Sequence, residues 1–292
     1  MIFRTVQNIS IPAIGLGTFA LRGKECTRIV TTALQGNYRH IDTATFYENE
    51  TEVGEGIRNS GVSREEIFLT TKVWWNQLSA NGVKTSIASS LSKLKTDYAD
   101  LLLVHWPNPD IPLAETIGAL LDVKGQGLAR AIGVSNFPSE LLHKAQALAG
   151  GEIAVNQIEY HPFLNQDTLL NTCAELGVVV TAYCPIAKGC VNDNQVIRQI
   201  ARHHGKTPVQ VTLRWFMQKD QMIAIPKSRV AERLLSNIEI FDFALSRAEM
   251  NSINSLGRNG GRMIDPDWAP KWDAPHSESF PLDEKPFSTG TI

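Results

Sequence analysis

Residues 100–107 read DLLLVHWP. Leu101 to Val104 form an unbroken apolar run, which suits a strand buried on both faces by covering helices. The run stops on His105. The same shape recurs along the chain in AIGLGT (13–18), YRHID (38–42), IFLTTK (67–72), ARAIGVSN (129–136), IAVNQIEY (153–160), VVVTAYCP (178–185) and MIAIPKS (222–228). With DLLLVH (100–105) these predict eight strands.

Helical spacing fills the gaps between them. ECTRIVTTALQG (25–36), NETEVGEGIRNSG (49–61), NGVKTSIASSLSKLK (81–95), PLAETIGALLDVKGQG (112–127) and SELLHKAQALAG (139–150) are candidate helices, several ending on glycine. Strand and helix in alternation argue a parallel sheet. Eight such units in roughly 250 residues fit a closed (β/α)8 TIM barrel better than an open doubly wound sheet. Ahead of the first strand, RTVQNISIP (4–12) is expected to form a hairpin plugging the barrel's bottom.

Seven of the eight runs finish on groups able to do chemistry: Asp42, Lys72, His105, Ser135 with Asn136, Gln157, Tyr183, and Lys227 with Ser228. A (β/α)8 barrel assembles its active site at the C-terminal ends of its strands, so these groups should converge on one mouth. Each has an ordinary reading as well. A histidine after an apolar run is often a hydrogen-bonded structural residue, and Asp42 alone would serve as a cap. Lys72 is harder to dismiss, because a lysine at the end of a buried run needs a partner. Their coincidence on consecutive strands favours a site.

Composition sets the outer bounds. The 292 residues are 43% hydrophobic, enough for one large core, and 28 Lys+Arg against 30 Asp+Glu leave a net charge of -2. No block of like charge marks nucleic acid or an anionic membrane as a partner. Cys26, Cys173, Cys184 and Cys190 form no CxxC pair, and MIFRTVQNIS lacks the apolar core of a signal peptide, so a reducing cytoplasm is the expected compartment. No apolar run approaches the roughly 18 residues of a membrane span.

Other chemistries find little support. GLGTF (15–19) holds only two glycines of a dinucleotide fingerprint, and GEGIRN (54–59) has no strand before it. No P-loop, HExxH or GxSxG occurs. His203 and His204 stand near a helix end with no acid cluster at ligand spacing, so no metal is expected.

Three stretches together resemble the aldo-keto reductase superfamily: GNYRHIDTATFYENETEVGEGI (36–57), the span from LLLVHWPNP (101–109) through ARAIGVSNF (129–137), and IPKSRVAERLLSNIEIFDF (225–243). The resemblance covers roughly residues 9–273. It implies a catalytic tetrad of Asp42, Tyr47, Lys72 and His105. The C-terminal GRMIDPDWAPKWD (261–273) is similar to the small bacterial and fungal reductases, especially those of 2,5-diketo-D-gluconate. Residues 1–273 are then one barrel domain, and 274–292 read as a mobile extension rich in Pro, Ser and charge.

The resemblance implies hydride from NADPH, a proton from Tyr47 as general acid, Lys72 stabilising the tyrosinate, Asp42 holding Lys72, and a neutral His105 donating to the carbonyl oxygen. It places Ser135, Asn136 and Gln157 on the nicotinamide carboxamide beside Asp42, with Tyr183 stacked on the ring and Thr18 near the same end. Cys184, Pro185 and Ile186 would cover the pyrophosphate, although small reductases often carry Ser and Leu at positions 184 and 186. Lys227, Ser228 and Arg233 would take the 2′-phosphate and Asn237 the adenine. Lys227, Arg229 and Arg233 beside a helix start also make an anion site by their own chemistry.

Phe19, Tyr47, Trp74, His105 and Trp106 would line the substrate pocket, extended by Phe46, Trp75, Trp268 and Trp272. Such a pocket suits small aldehydes, ketones and dicarbonyls such as methylglyoxal. Two further readings stand beside this one: a Schiff-base enzyme using Lys72, and a cofactor-sensing protein on the same fold. A monomer is expected, with a dimer left open.

Overall fold

The computed structural model describes residues 2–274. The eight barrel strands are β3 (Leu16–Gly17), β4 (His40–Asp42), β5 (Phe68–Val73), β6 (Ala99–Val104), β7 (Ala129–Ser135), β8 (Ile153–Glu159), β9 (Val179–Tyr183) and β10 (Met222–Ala224). They lie in one parallel sheet in sequence order. Gly15 N donates to Ala224 O and Ala224 N to Ala13 O, both at 2.9 Å, so the last strand meets the first and the (β/α)8 barrel closes. The first strand is shorter than expected, Leu16–Gly17, although Ile14 ahead of it still bridges to Ala224, and it runs tight against its neighbours. A Cβ on Gly15 would stand 2.8 Å from the His40 ring, and one on Gly17 would stand 2.9 Å from Ile225 O.

Alternation along β6 explains the histidine that ends it. Leu101 and Leu103 point inward and pack with Phe68, Val155, Val179 and Ile223, while Leu102 and Val104 point outward into the core under the helices. A strand's side chains repeat every second residue. Position 105 is therefore the next inward one, at the top of the barrel.

The hairpin is present at the other end. β1 (Phe3–Val6) pairs antiparallel with β2 (Ile9–Pro12), and Val6 and Ile11 join the inner apolar cluster. The Arg4 guanidinium ties the hairpin to the barrel by donating to Met217 O at 2.8 Å and Lys219 O at 2.7 Å.

Helices α1 (Gly23–Gln35), α2 (Glu50–Ser60), α3 (Ala80–Leu94), α4 (Leu113–Gly125), α5 (Ser139–Leu148) and α6 (Asp167–Glu175) follow the first six barrel strands in turn. Two helices, α7 (Gln195–His204) and α8 (Pro208–Met217), fill the seventh crossover, and α9 (Ala231–Ser236) and α10 (Arg247–Asn254) follow the last strand. Amphipathic spacing gives the longer helices a buried stripe, as with Ile29, Val30, Ala33 and Leu34 in α1. Among the described residues, no helix is long and apolar enough to cross a membrane.

One expectation about α7 is corrected. An acid does stand beside the histidine pair, for Glu249 of α10 accepts from His204 Nε2 at 2.9 Å. Folding brings it there from 45 residues away. The other Glu249 oxygen accepts from Ser246 N at 2.7 Å, closing the capping box of α10. The contact pins α7 to α10. The extension expected after residue 273 lies, from 275 onward, outside the described residues.

Candidate active site

At the top of the barrel the inward positions turn polar. Lys72, on the last inward position of β5, is fully buried and its ammonium donates to Asp42 Oδ1 at 2.5 Å, Thr43 O at 2.8 Å and Tyr47 Oη at 3.3 Å. Three donors meet three acceptors, which weighs against Lys72 as a free amine nucleophile. Burial lowers its pKa from 10.5, opposed first by the Asp42 carboxylate. The second Asp42 oxygen accepts from Gln157 Nε2 at 2.7 Å.

Tyr47 comes from a single turn of 3-10 helix, Thr45–Tyr47, between β4 and α2. Its turn is fastened on both sides: Thr45 Oγ1 donates to Lys72 O at 3.0 Å, and the Arg22 guanidinium donates to Tyr47 O. The expectation that Lys72 lowers the Tyr47 pKa is not met in the resting site. Burial, then the Asp42 carboxylate, push it well above 10. The ammonium faces Asp42 more closely than it faces the phenol.

His105 follows β6 directly. Its backbone N–H donates to Val73 O at 3.0 Å, and its carbonyl accepts from Asn136 Nδ2 at 3.0 Å. Burial first, and then the Lys72 charge, hold its pKa well below 6.5, so the ring is neutral. Its Nδ1 is buried without a hydrogen-bond partner. The His105 and Tyr47 rings meet edge to face, with centroids 5.5 Å apart.

A second polar group adjoins this one. Ser135 Oγ donates to Gln157 O at 2.8 Å, and Tyr183 Oη donates to Asn136 Oδ1 at 2.8 Å. Asn136 holds a left-handed backbone, φ 64°, and both hydrogens of its amide are engaged, by His105 O and Ser135 Oγ. Gln157 is not a strand end, since β8 runs on to Glu159. Thr18 is buried and bonds Asp42 O through its hydroxyl at 3.0 Å. The Cys184–Pro185–Ile186 stretch opens a loop with left-handed residues at Cys184, Ala187 and Lys188, and burial pushes the Cys184 thiol up to about 11.

The third group stands apart on the rim. Lys227, Arg229 and Arg233 are exposed, and Asn237 is buried. Arg229 pairs with Glu25 at 3.6 Å and donates to Ala20 O at 2.9 Å. Ser228 Oγ accepts from Val230 N at 3.0 Å, closing the turn before α9.

The aromatic residues expected to form the wall make one connected cluster beside His105. Phe46 stacks on Trp74 at 3.9 Å, Trp74 meets His105 edge-on at 5.0 Å, and Phe19 meets Tyr47 at 5.1 Å. Trp268 stacks on Trp75 at 5.5 Å and abuts Trp106 at 5.1 Å, while Trp272 reaches Trp106 at 6.1 Å. The C-terminal segment that carries both tryptophans is held by a buried group the sequence reading missed. Glu159 accepts from Met263 N at 2.7 Å, Ile264 N at 3.0 Å and His161 Nε2 at 3.1 Å. Its signal was alternation: Val155, Gln157 and Glu159 share the inward face.

The chain matches the Aldo/keto reductase family over residues 13–258. It belongs to the aldo-keto reductases. It is 45% identical over 269 residues to a methylglyoxal reductase, DkgB, of Yersinia pestis, covering 91% of this chain and 100% of that one. A glyoxal reductase of Bacillus subtilis is 42% identical over 259 residues, covering 87% and 91% of the two chains. A solved structure provisionally named 2,5-diketo-D-gluconic acid reductase B superposes with a TM-score of 0.89 at 46% identity, covering 91% and 95%. An aldo-keto reductase of Bombyx mori solved in complex with NADP gives 0.83 at 34% identity, covering 90% and 94%. This aldo-keto reductase is accordingly an oxidoreductase, with Asp42, Tyr47, Lys72 and His105 gathered at the mouth of its barrel.

Proposed function

We propose that the chain reduces small aldehydes, ketones or dicarbonyls, of the methylglyoxal or 2,5-diketo-D-gluconate kind, with NADPH as reductant and Tyr47 as general acid. The observation that carries this is the contact of Tyr47 Oη with the Lys72 ammonium at 3.3 Å, beside a neutral imidazole that meets both the Tyr47 ring and Trp74. Relatives named for glyoxal and methylglyoxal reduction support the substrate class.

The residues present fit a phosphorylated dinucleotide. Lys227, Arg229 and Arg233 give an exposed cationic cluster suited to a phosphate dianion. Gln157, Asn136 and Tyr183 belong to the polar group bonded to Asp42 and His105, so a nicotinamide end held by them would lie beside Tyr47. NADPH, when bound, supplies the hydride for the carbonyl carbon.

His105 stays neutral and donates an N–H to the carbonyl oxygen, favouring the negative charge that develops there. Tyr47 keeps its proton at rest because burial and Asp42 disfavour the phenolate. The alkoxide left by hydride addition is a stronger base than a phenolate, so the proton passes from Tyr47 to it. Lys72 then faces the phenolate, with Asp42 fixing where its charge stands.

Consumption of NADPH with methylglyoxal, 2,5-diketo-D-gluconate and a panel of aldehydes, beside NADH and a Tyr47→Phe control, tests the reading. Turnover lost in the control is the expected result. Cofactor binding with no turnover on any carbonyl would sink it in favour of a sensing role.

A further inference from the structure

Glu50 is a buried carboxylate for which the mechanism above has no use. It opens α2, three residues after Tyr47, and is 2% exposed. One oxygen accepts from Thr71 Oγ1 at 2.7 Å; the other is buried with no hydrogen bond, and its nearest cation is Lys93 at 4.0 Å. A group held this way loses hydration for a single strong bond.

The partner explains the placement. Along β5, Phe68 joins the inner cluster while Leu69 and Val73 join the outer one, so Thr71 faces outward and Lys72 inward. Glu50 therefore grips the outside of the strand whose next residue carries the ammonium. On the other flank of Tyr47, Thr45 Oγ1 donates to Lys72 O at 3.0 Å. Two bonds, one from each side of Tyr47 in the chain, land on Thr71 and Lys72.

We propose that Thr45 and Glu50 form a clasp between the Tyr47 turn and β5, and that Glu50 is a positioning residue setting the separation of Tyr47 Oη from Lys72 Nζ. This rests on the reductase reading above. Proton delivery depends on that separation, and a misplacement of about 1 Å can lower a rate about 100-fold. Glu50 bonds the outward face of β5, away from the inward side chains of the mouth, so substrate affinity should be independent of it.

The test uses the full chain with Thr71→Val, Glu50→Leu and Glu50→Gln beside wild type and Tyr47→Phe. Thr71→Val and Glu50→Leu are expected to lower kcat roughly 10- to 100-fold, with KM for the carbonyl and the affinity for NADPH held within about twofold. The solvent deuterium isotope effect on kcat should rise, because proton transfer becomes the slow step. Glu50→Gln keeps an acceptor for Thr71 and should recover at least about tenfold over Glu50→Leu. Thr71→Val is nearly isosteric, so it reports even where Glu50→Leu fails to fold. Wild-type kcat in Thr71→Val, or a lower kcat with an unchanged isotope effect, overturns the clasp while leaving the reductase reading intact. A wild type that reduces no carbonyl overturns both.

Discussion

Gln157 Nε2 donates to Asp42 Oδ2 at 2.7 Å, joining two buried side chains 115 residues apart in the chain. The bond has a chemical consequence. Asp42 divides its carboxylate between Lys72 on one oxygen and Gln157 on the other, so the carboxylate that holds the ammonium is itself held.

Replacing Asp42 by Asn keeps a partner for Gln157 but leaves Lys72 buried without its counter-charge. Breaking a buried pair by removing one member costs about 3–5 kcal/mol. Burial already lowers the Lys72 pKa from 10.5, and without Asp42 it falls further. A lysine with a depressed folded-state pKa binds its proton more readily when unfolded. The destabilisation of Asp42→Asn should thus fade as pH rises from neutral towards 10.5, where the amine loses its charge in both states. Urea unfolding at several pH values measures it, and a loss that does not vary with pH would contradict the assignment.

His105 predicts a different pH dependence. Burial and Lys72 depress its pKa well below 6.5, so as pH falls below 6.5 the unfolded chain takes up a proton that the folded chain refuses. Stability contributed by the neutral ring is complete above 6.5 and is lost as pH drops towards the folded value. His105→Gln, which keeps a neutral donor, should flatten that decline and retain more activity than His105→Ala. A ring carbon NMR shift for His105 that titrates near 6.5 in the folded protein would rule the argument out.

These groups were legible in the sequence to different degrees, for physical reasons. Asp42, Lys72, His105 and Tyr183 end apolar runs, and a parallel barrel turns strand ends into a mouth, so pattern alone brought them forward. Tyr47 lies in a turn after β4 that has no periodicity to read, and only family resemblance marked it. Gln157 reads as a strand end because the donors that bury Glu159, the amides of Met263 and Ile264, arrive 104 and 105 residues later. The clasp of Glu50 on Thr71 and the contact of Glu249 with His204 are equally non-local. The direction of the Tyr47 pKa is hidden from the sequence for a related reason: residue types give charges but not how deeply a ring is buried.

Trp268 tests the aromatic cluster. Its indole stacks on Trp75 and abuts Trp106 and Trp74, with centroids at 5.5, 5.1 and 6.1 Å. Aromatic pairs contribute about 0.5–1.5 kcal/mol each beyond the area they bury. Trp268→Ala should loosen the segment that Glu159 anchors and widen the mouth without touching the tetrad. KM for a small dicarbonyl should rise about 5- to 20-fold with kcat changed less than about threefold. Steady-state kinetics decide it, and a change confined to kcat would place Trp268 outside the pocket.

Arg233 offers the sharpest check on cofactor choice. It is exposed, and among the described residues it forms no ion pair within 4.0 Å, whereas neighbouring Arg229 is already paired with Glu25. A guanidinium so placed is available to a phosphate dianion, and a hydrogen bond to a charged group is worth about 1.5–3 kcal/mol. Arg233→Ala should therefore raise KM for NADPH by roughly 10- to 100-fold and leave KM for NADH within about twofold, because only NADPH carries the 2′-phosphate. The NADPH penalty should shrink at high salt, where the wild-type attraction is itself screened. Equal losses with both cofactors would assign Arg233 to the architecture of α9 instead, and leave the proposed preference for NADPH resting on Lys227 and Arg229.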